Sequence, residues 1–287
     1  MEVLEVAKDH LLVEATTTCE IGSRRHMNFP GLALRLPTFT QKDQSDLLFA
    51  IQHKIHYIAA SFIRNADAIG EIRNFLNAHG GTSLQIIAKI ENQEGIENTE
   101  EIVKAADGIM IARGDLGIEI PIHELPYEQQ RLIDTCRAYG RTCIMATELL
   151  KSMVSSPFPT RAEVSDVYNS VIAGVDATML SDETAIGSYP VQTVALMSQT
   201  IHKAEQHLHN QHTDFNICKT DEISLGKKYL VKHALTLADE LAIPHVLLFT
   251  HSGFLAKVPR DTSPTRECLP LRMNRQLLIR CVFCMGF

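Results

Sequence analysis

The residues of this chain with the clearest chemical potential are Lys89, Glu91 and Asp115, set within residues 86–119, IIAKIENQEGIENTEEIVKAADGIMIARGDLGIE. One apolar run ends in Lys89-Ile90-Glu91-Asn92, and a second ends in Arg113-Gly114-Asp115. Side chains alternate along a strand, so Lys89 and Glu91 project from the same face, and a cation and a carboxylate share one strand end. A second strand laid parallel to the first brings Asp115 beside them. Carboxylate oxygens suit a hard divalent cation and an ammonium suits a phosphate-sized anion, so the expected site is a metal site next to an anion binder at the mouth of a parallel sheet.

The elements that must position these groups repeat along the chain. Apolar strand candidates occur at 55–62, 84–90, 108–112, 142–146 and 177–180, each followed by a helical pattern. The period of about 25 to 35 residues is that of a strand-loop-helix-loop unit. Ile69, Ile72, Phe75 and Leu76 make one helix face, stopped by Gly80-Gly81. Thr160 with Glu163 makes a capping box, after which Val164, Val167, Tyr168, Val171 and Ile172 form a stripe closed by Gly174. An earlier helix begins at Thr40, with Leu47, Leu48 and Ile51 on one side. Strands that are apolar throughout and alternate with helices imply a covered parallel sheet.

The strand ends read Ser61-Phe62-Ile63-Arg64, Lys89-Ile90-Glu91-Asn92, Arg113-Gly114-Asp115, Ala146-Thr147-Glu148 and Ser181-Asp182-Glu183-Thr184. All finish in polar, chemically capable groups, as the active-site rim of a (β/α) barrel does. Polar residues also simply begin loops. That alternative accounts poorly for a Lys, a Glu and an Asp emerging from buried strands, where each needs a partner.

Composition excludes several classes. The chain has 287 residues, 45% of them apolar, and a formal net charge of -7, with no basic block to bind nucleic acid. No apolar run reaches a membrane-spanning length, and MEVLEVAKDH carries acids where a signal peptide has a basic lead, so the expectation is a cytoplasmic protein with no membrane partner. Cys19, Cys136, Cys143, Cys218, Cys268, Cys281 and Cys284 include one close pair, and reduced structural thiols are expected rather than a metal site. His202, His207, His209 and His212 suit an exposed helix end.

Residues 3–13 alternate around Lys8-Asp9 and predict a β-hairpin. A long helix is expected over 190–207 and a boundary over 210–224. A helix over 227–240, with Val231, Ala234, Leu235 and Ala238 on one side, then leads to a strand at 245–249 and the turn Thr250-His251-Ser252-Gly253. Such a loop can cradle a phosphate with its N–H groups, and ordinary turn chemistry explains it equally well.

The segments GSRRHMNFPG (22–31), ASFIRNADAI (60–69), IIAKIENQEG (86–95), GIMIARGDLGIEIP (108–121), MATELLKSM (145–153), PTRAEVSDVYNSVIAGVDATMLSDETAIGSYP (159–190) and FTHSG (249–253) together resemble the pyruvate kinase family. The resemblance implies an α/β fold: an incomplete TIM (β/α)8 barrel (29–209), a remnant of an inserted β domain (1–28) and a partial C-terminal α/β domain (210–287). By likeness the chain holds barrel strands four to eight. The first three, which in the family bring potassium ligands, a phosphate-contacting arginine and much of the nucleotide site, are expected to be absent. The implied reaction is phosphoryl transfer from phosphoenolpyruvate to ADP, giving pyruvate and ATP, the last step of glycolysis. It uses Mg2+ or Mn2+, with K+ in the complete enzyme, usually a homotetramer.

Residue by residue, the resemblance makes Glu91 and Asp115 metal ligands and Lys89 the cation that neutralises the phosphoryl group in flight. It makes the Gly114 N–H the holder of the substrate carboxylate. It puts Thr147 beside the enolate, orienting pyruvate or relaying a proton to its methylene carbon. Thr250, Ser252 and Gly253 match an effector phosphate loop, although Phe254 and Leu255 follow where effector-responsive members carry polar groups. Glu148 stands where the family commonly has glutamine. Asp182 stands where it usually has glycine, which predicts a strained positive φ. Two alternatives remain at this point: a non-catalytic fragment with open sheet edges, and a metal-dependent enolate lyase or aldolase on a related barrel.

Overall fold

The computed structural model describes residues 2–18, 20, 22–23, 39–209, 222–241, 243, 245–249 and 267–271. The predicted hairpin is present as β1 (Glu2–Val6) and β2 (Leu11–Glu14), paired antiparallel and closed by the Ala7 N–H on the His10 carbonyl. Its alternation buries neither face, since every residue of both strands is exposed.

The repeating units build one parallel sheet from β3 (Tyr57–Ala60), β4 (Gln85–Ile90), β5 (Gly108–Ala112), β6 (Thr142–Ala146) and β7 (Ala177–Met179). The strands stand in chain order, β3-β4-β5-β6-β7, with no reversal. A doubly wound sheet reverses its order at a switch point, whereas a barrel wall does not. Among the described residues the wall is open, with β3 and β7 at its edges.

Two faces divide the strand residues. Ile86, Ala88 and Ile90 of β4, Ile109 and Ile111 of β5, and Cys143 and Met145 of β6 point into the main core. There they meet Ile69, Ile72 and Leu76 of α2 (Ala66–Ala78), Ile102 and Val103 of α4 (Thr99–Ala105), and Leu132 and Ile133 of α6 (Leu125–Ala138). The intervening residues Ile87, Met110 and Ala146 form a separate small cluster with Ile144 and Met179 on the opposite face. Lys89 belongs to this second face and lies across from Met110 in the β4–β5 register.

The end of the sheet away from the chemistry is tied by a repeated aspartate. Before β5, the Asp107 N–H donates to the Ile86 carbonyl, while its carboxylate accepts from the Ile86 N–H at 2.9 Å and pairs with Arg73 at 2.5 Å. Before β7, Asp176 repeats the pattern on Cys143, accepting its N–H at 2.7 Å. Each aspartate extends the ladder by one residue and satisfies a strand N–H that begins outside it.

The helix start expected at Thr40 and the capping box expected at Thr160 are formed. Thr40 and Asp43 make a capping box on α1 (Gln41–Gln52), Thr160 and Glu163 make one on α7 (Arg161–Ala173), and Gly174 closes α7 at φ +96°. Leu48 corrects the expected face of α1: it is exposed, and Ala50 joins Leu47 in the core. In α7, Val167 and Ser170 are the buried residues, and the rest of the stripe is half-buried.

Further along, α9 (Pro190–His209) and α10 (Glu222–Glu240) run longer than predicted. In α10, Val231 and Ala238 are buried while Ala234 is exposed. The strand β8 (His245–Phe249) pairs in parallel with β9 (Glu267–Leu271), which sequence reading missed. Cys136 and Cys143 are buried free thiols, and their mutual hydrogen bond and burial push the Cys143 thiol up, which suits inert structural cysteines. The turn 250–253, His212, Cys19, Cys218, Cys281 and Cys284 lie outside the described residues.

Candidate active site

Glu91 follows directly on β4, and its side chain is 1% exposed. A carboxylate so buried needs partners for both oxygens. Lys89 Nζ lies 2.6 Å from Oε1, and the Phe62 N–H donates to Oε2 at 2.6 Å. Lys89 also donates to Ser61 Oγ at 3.0 Å. The strand alternation therefore does what the sequence implies, bringing the ammonium and the carboxylate into contact. The support from the neighbouring unit was not legible: Phe62 sits at φ +54°, a left-handed conformation unusual for a bulky residue, and that turn aims its N–H at Glu91.

The next two strand ends meet each other. β5 passes straight into α5 (Arg113–Glu119), which carries half-buried Asp115 in its first turn. Burial and the negative charge of Asp115 push the Glu119 carboxyl above its ordinary range. The Gly114 N–H donates to Thr147 Oγ1 at 2.8 Å, and that hydroxyl donates to the Ala146 carbonyl at 2.7 Å. Among the described residues a Cβ on Gly114 would meet nothing closer than Thr147 Oγ1 at 3.6 Å, so packing against them does not demand glycine there. Thr147 and Glu148 are both left-handed, at φ +68° and +56°. Arg113 donates to the Thr147 carbonyl at 2.9 Å and pairs with Asp166 of α7 at 2.7 Å.

Residues 1–194 match the family model for the pyruvate kinase barrel domain. The chain belongs to the pyruvate kinase family. It is 50% identical over 224 residues to the pyruvate kinase of Geobacillus stearothermophilus, covering 76% of this chain and 38% of that protein. It is 44% identical over 261 residues to the pyruvate kinase of Clostridium acetobutylicum (89% and 54%). To that of Lactobacillus delbrueckii subsp. bulgaricus it is 38% identical over 274 residues (94% and 46%). The chain thus spans about half the length of the curated relatives it matches.

Glu148 and Asp182 are the two departures from the pyruvate kinase pattern at the rim. Asp182 is a correction: it is not held at positive φ, because it opens the short helix α8 (Asp182–Ala185), where its carboxylate pairs with Lys151 at 2.5 Å. Hydrogen bonding to Asp182 raises the Lys151 ammonium, and the charges of Asp182, Glu148 and Glu183 add to it. Glu148 is exposed, and its charge acts on Lys151. Glu183, 1% exposed, is structural: it accepts the Leu150 N–H at 3.2 Å and the Ser181 N–H at 2.9 Å, fastening the loop after β6 to the loop after β7. No helix among the described residues is long and apolar enough to cross a membrane.

Proposed function

We propose that the chain carries the phosphoenolpyruvate side of a pyruvate kinase active site, acting in phosphoryl transfer to ADP to give pyruvate and ATP, the last step of glycolysis. The observation that carries this reading is the Lys89–Glu91 contact of 2.6 Å, with Glu91 1% exposed, at the strand end next to the one that leads to Asp115. Phosphoryl transfer asks mainly for positioning and charge neutralisation, and Lys89 supplies a preorganised cation in contact with Glu91. In this reading the Gly114 N–H binds the substrate carboxylate, exchanging its hydrogen bond to Thr147 for one to the ligand. The Thr147 hydroxyl, thus released, orients pyruvate or relays a proton to the methylene carbon.

Glu91 and Asp115 would hold Mg2+ or Mn2+, which when bound supplies positive charge to the oxygens on which negative charge builds. The donor set fits. Among the described residues no three His, Cys, Asp or Glu gather into a metal cage, and magnesium is commonly held by one or two carboxylates with water and substrate completing its shell. A K+ requirement, ADP/ATP binding, a homotetramer, a cytoplasmic location and an effector phosphate on Thr250, Ser252 and Gly253 complete the proposal for the whole protein. So does the division into 1–28, 29–209 and 210–287.

The test is ATP formation from phosphoenolpyruvate and ADP with Mn2+ present. Activity that survives Lys89→Met would sink the assignment. A second reading, that the polypeptide works only with a companion covering its open wall, is favoured by the exposure of Tyr57 and Ala59 on β3 and of Ala177 on β7. A soluble, active monomer contradicts it.

A further inference from the structure

Thr147 is a β-branched residue at φ +68°, followed by Glu148 at φ +56°. β-Branched side chains are genuine outliers there, and such a conformation persists only where the surroundings over-determine it. Two contacts on Thr147 act through its own hydroxyl, to the Ala146 carbonyl and from the Gly114 N–H. Among the described residues, the side chain that grips its backbone is Arg113, whose Nη2–H donates to the Thr147 carbonyl at 2.9 Å.

Arg113 is itself pinned. Its Nη1 lies 2.8 Å from Asp166 Oδ1 and 2.7 Å from Oδ2, and the two side chains are 10% and 33% exposed. The buried Nε–H of Arg113 makes no hydrogen bond among the described residues. The guanidinium therefore answers to two partners, the Asp166 carboxylate on one side and the Thr147 carbonyl on the other. Arg113 follows β5, Thr147 follows β6, and Asp166 sits on the helix before β7, so the contact joins three successive units at the rim.

We propose that Arg113 and Asp166 are positioning residues, a charge-paired clamp that holds Thr147 in its left-handed conformation and so keeps its hydroxyl beside the Gly114 N–H. The inference rests on the proposed function in one respect: the hydroxyl and that N–H are the two groups assigned to the substrate. A planar guanidinium bridges a carboxylate and a carbonyl at once. A lysine ammonium, without that fork, reaches one or the other.

The experiment compares the wild-type chain with Arg113→Lys, Asp166→Asn and Asp166→Glu. The readouts are crystal structures, the kcat and KM for phosphoenolpyruvate, and deuterium exchange into the pyruvate methyl group. In Arg113→Lys the Thr147 backbone leaves the left-handed region. Its kcat and its methyl exchange fall together by about 100-fold, the effect of a misplacement near 1 Å, while KM stays within a few fold. Asp166→Glu recovers part of the loss. The proposal is overturned if Thr147 stays left-handed in both Arg113→Lys and Asp166→Asn, or if KM rises while kcat is kept. Should the wild type make no ATP, the proposed function falls, and the Thr147 conformation in the variants still decides whether the clamp exists.

Discussion

Replacing Lys89 by methionine keeps the apolar stem and deletes the ammonium. The Glu91 carboxylate, 1% exposed, is then left with the Phe62 N–H at 2.6 Å as its remaining described hydrogen bond. Removing one partner of a buried ion pair costs about 3–5 kcal/mol. Lys89 is 23% exposed, so water reaches the vacated end, and about 3 kcal/mol is the expected loss. In a urea titration with a slope of about 2 kcal/mol/M, that lowers the midpoint by about 1.5 M. Adding Glu91→Gln should recover most of it, because an amide oxygen still accepts from Phe62 and carries no charge. Activity should not follow stability. On the proposed function, both variants lose at least about 100-fold in ATP formation, the equivalent of about 3 kcal/mol of transition-state stabilisation. A Lys89→Met chain with an unshifted midpoint would refute the buried pair. A double variant with restored turnover would refute the catalytic role.

Glu91→Gln and Asp115→Asn should each weaken Mn2+ binding by at least about tenfold in calorimetric titration, and an unchanged affinity excludes that residue as a ligand. Asp107→Ala removes the partner of Arg73 and of the Ile86 N–H, and should cost about 1–3 kcal/mol in chemical denaturation. Gly187→Ala puts a Cβ 2.3 Å from the Glu183 carbonyl oxygen, and a similar loss of about 1–3 kcal/mol is expected. Burial works against ionisation of Glu163, but hydrogen bonds from Ser152 and Thr160 outweigh it and hold its carboxyl below the ordinary value of 4.5. A depressed carboxyl stabilises the fold fully above the unfolded value. The stability gap between wild type and Glu163→Gln should therefore be complete above pH 4.5 and close as the pH falls below it.

How much of this was legible depends on whether a residue's role was local. Lys89 and Glu91 could be found because charges rarely end buried strands without a partner, and period-two alternation put them together. Thr160, Glu163 and Gly174 could be found because caps have short-range rules. Phe62 and Thr147 could not, since nothing in a bulky or β-branched residue announces a positive φ that only distant partners enforce. The Arg113–Asp166 contact joins positions 53 apart and needed the fold. Asp107 and Asp176 had a signal that went unread: AADGIM and GVDATM each place an aspartate one residue before a strand. The strain expected at Asp182 was carried over from the glycine usual in the family, and a helix beginning at that residue removes the need for it.

The strand order has a consequence for how the molecule comes to exist. Every strand of the five-stranded sheet after the first pairs with the one preceding it in the chain, so each hydrogen-bonded edge is already present when its successor leaves the ribosome. The wall can thus assemble by accretion, one unit docking on the last, with short loops to close at each step. On that route Glu91 meets the Phe62 turn as soon as β4 docks, and the mouth acquires its first charged pair before the segment bearing Asp115 has left the ribosome.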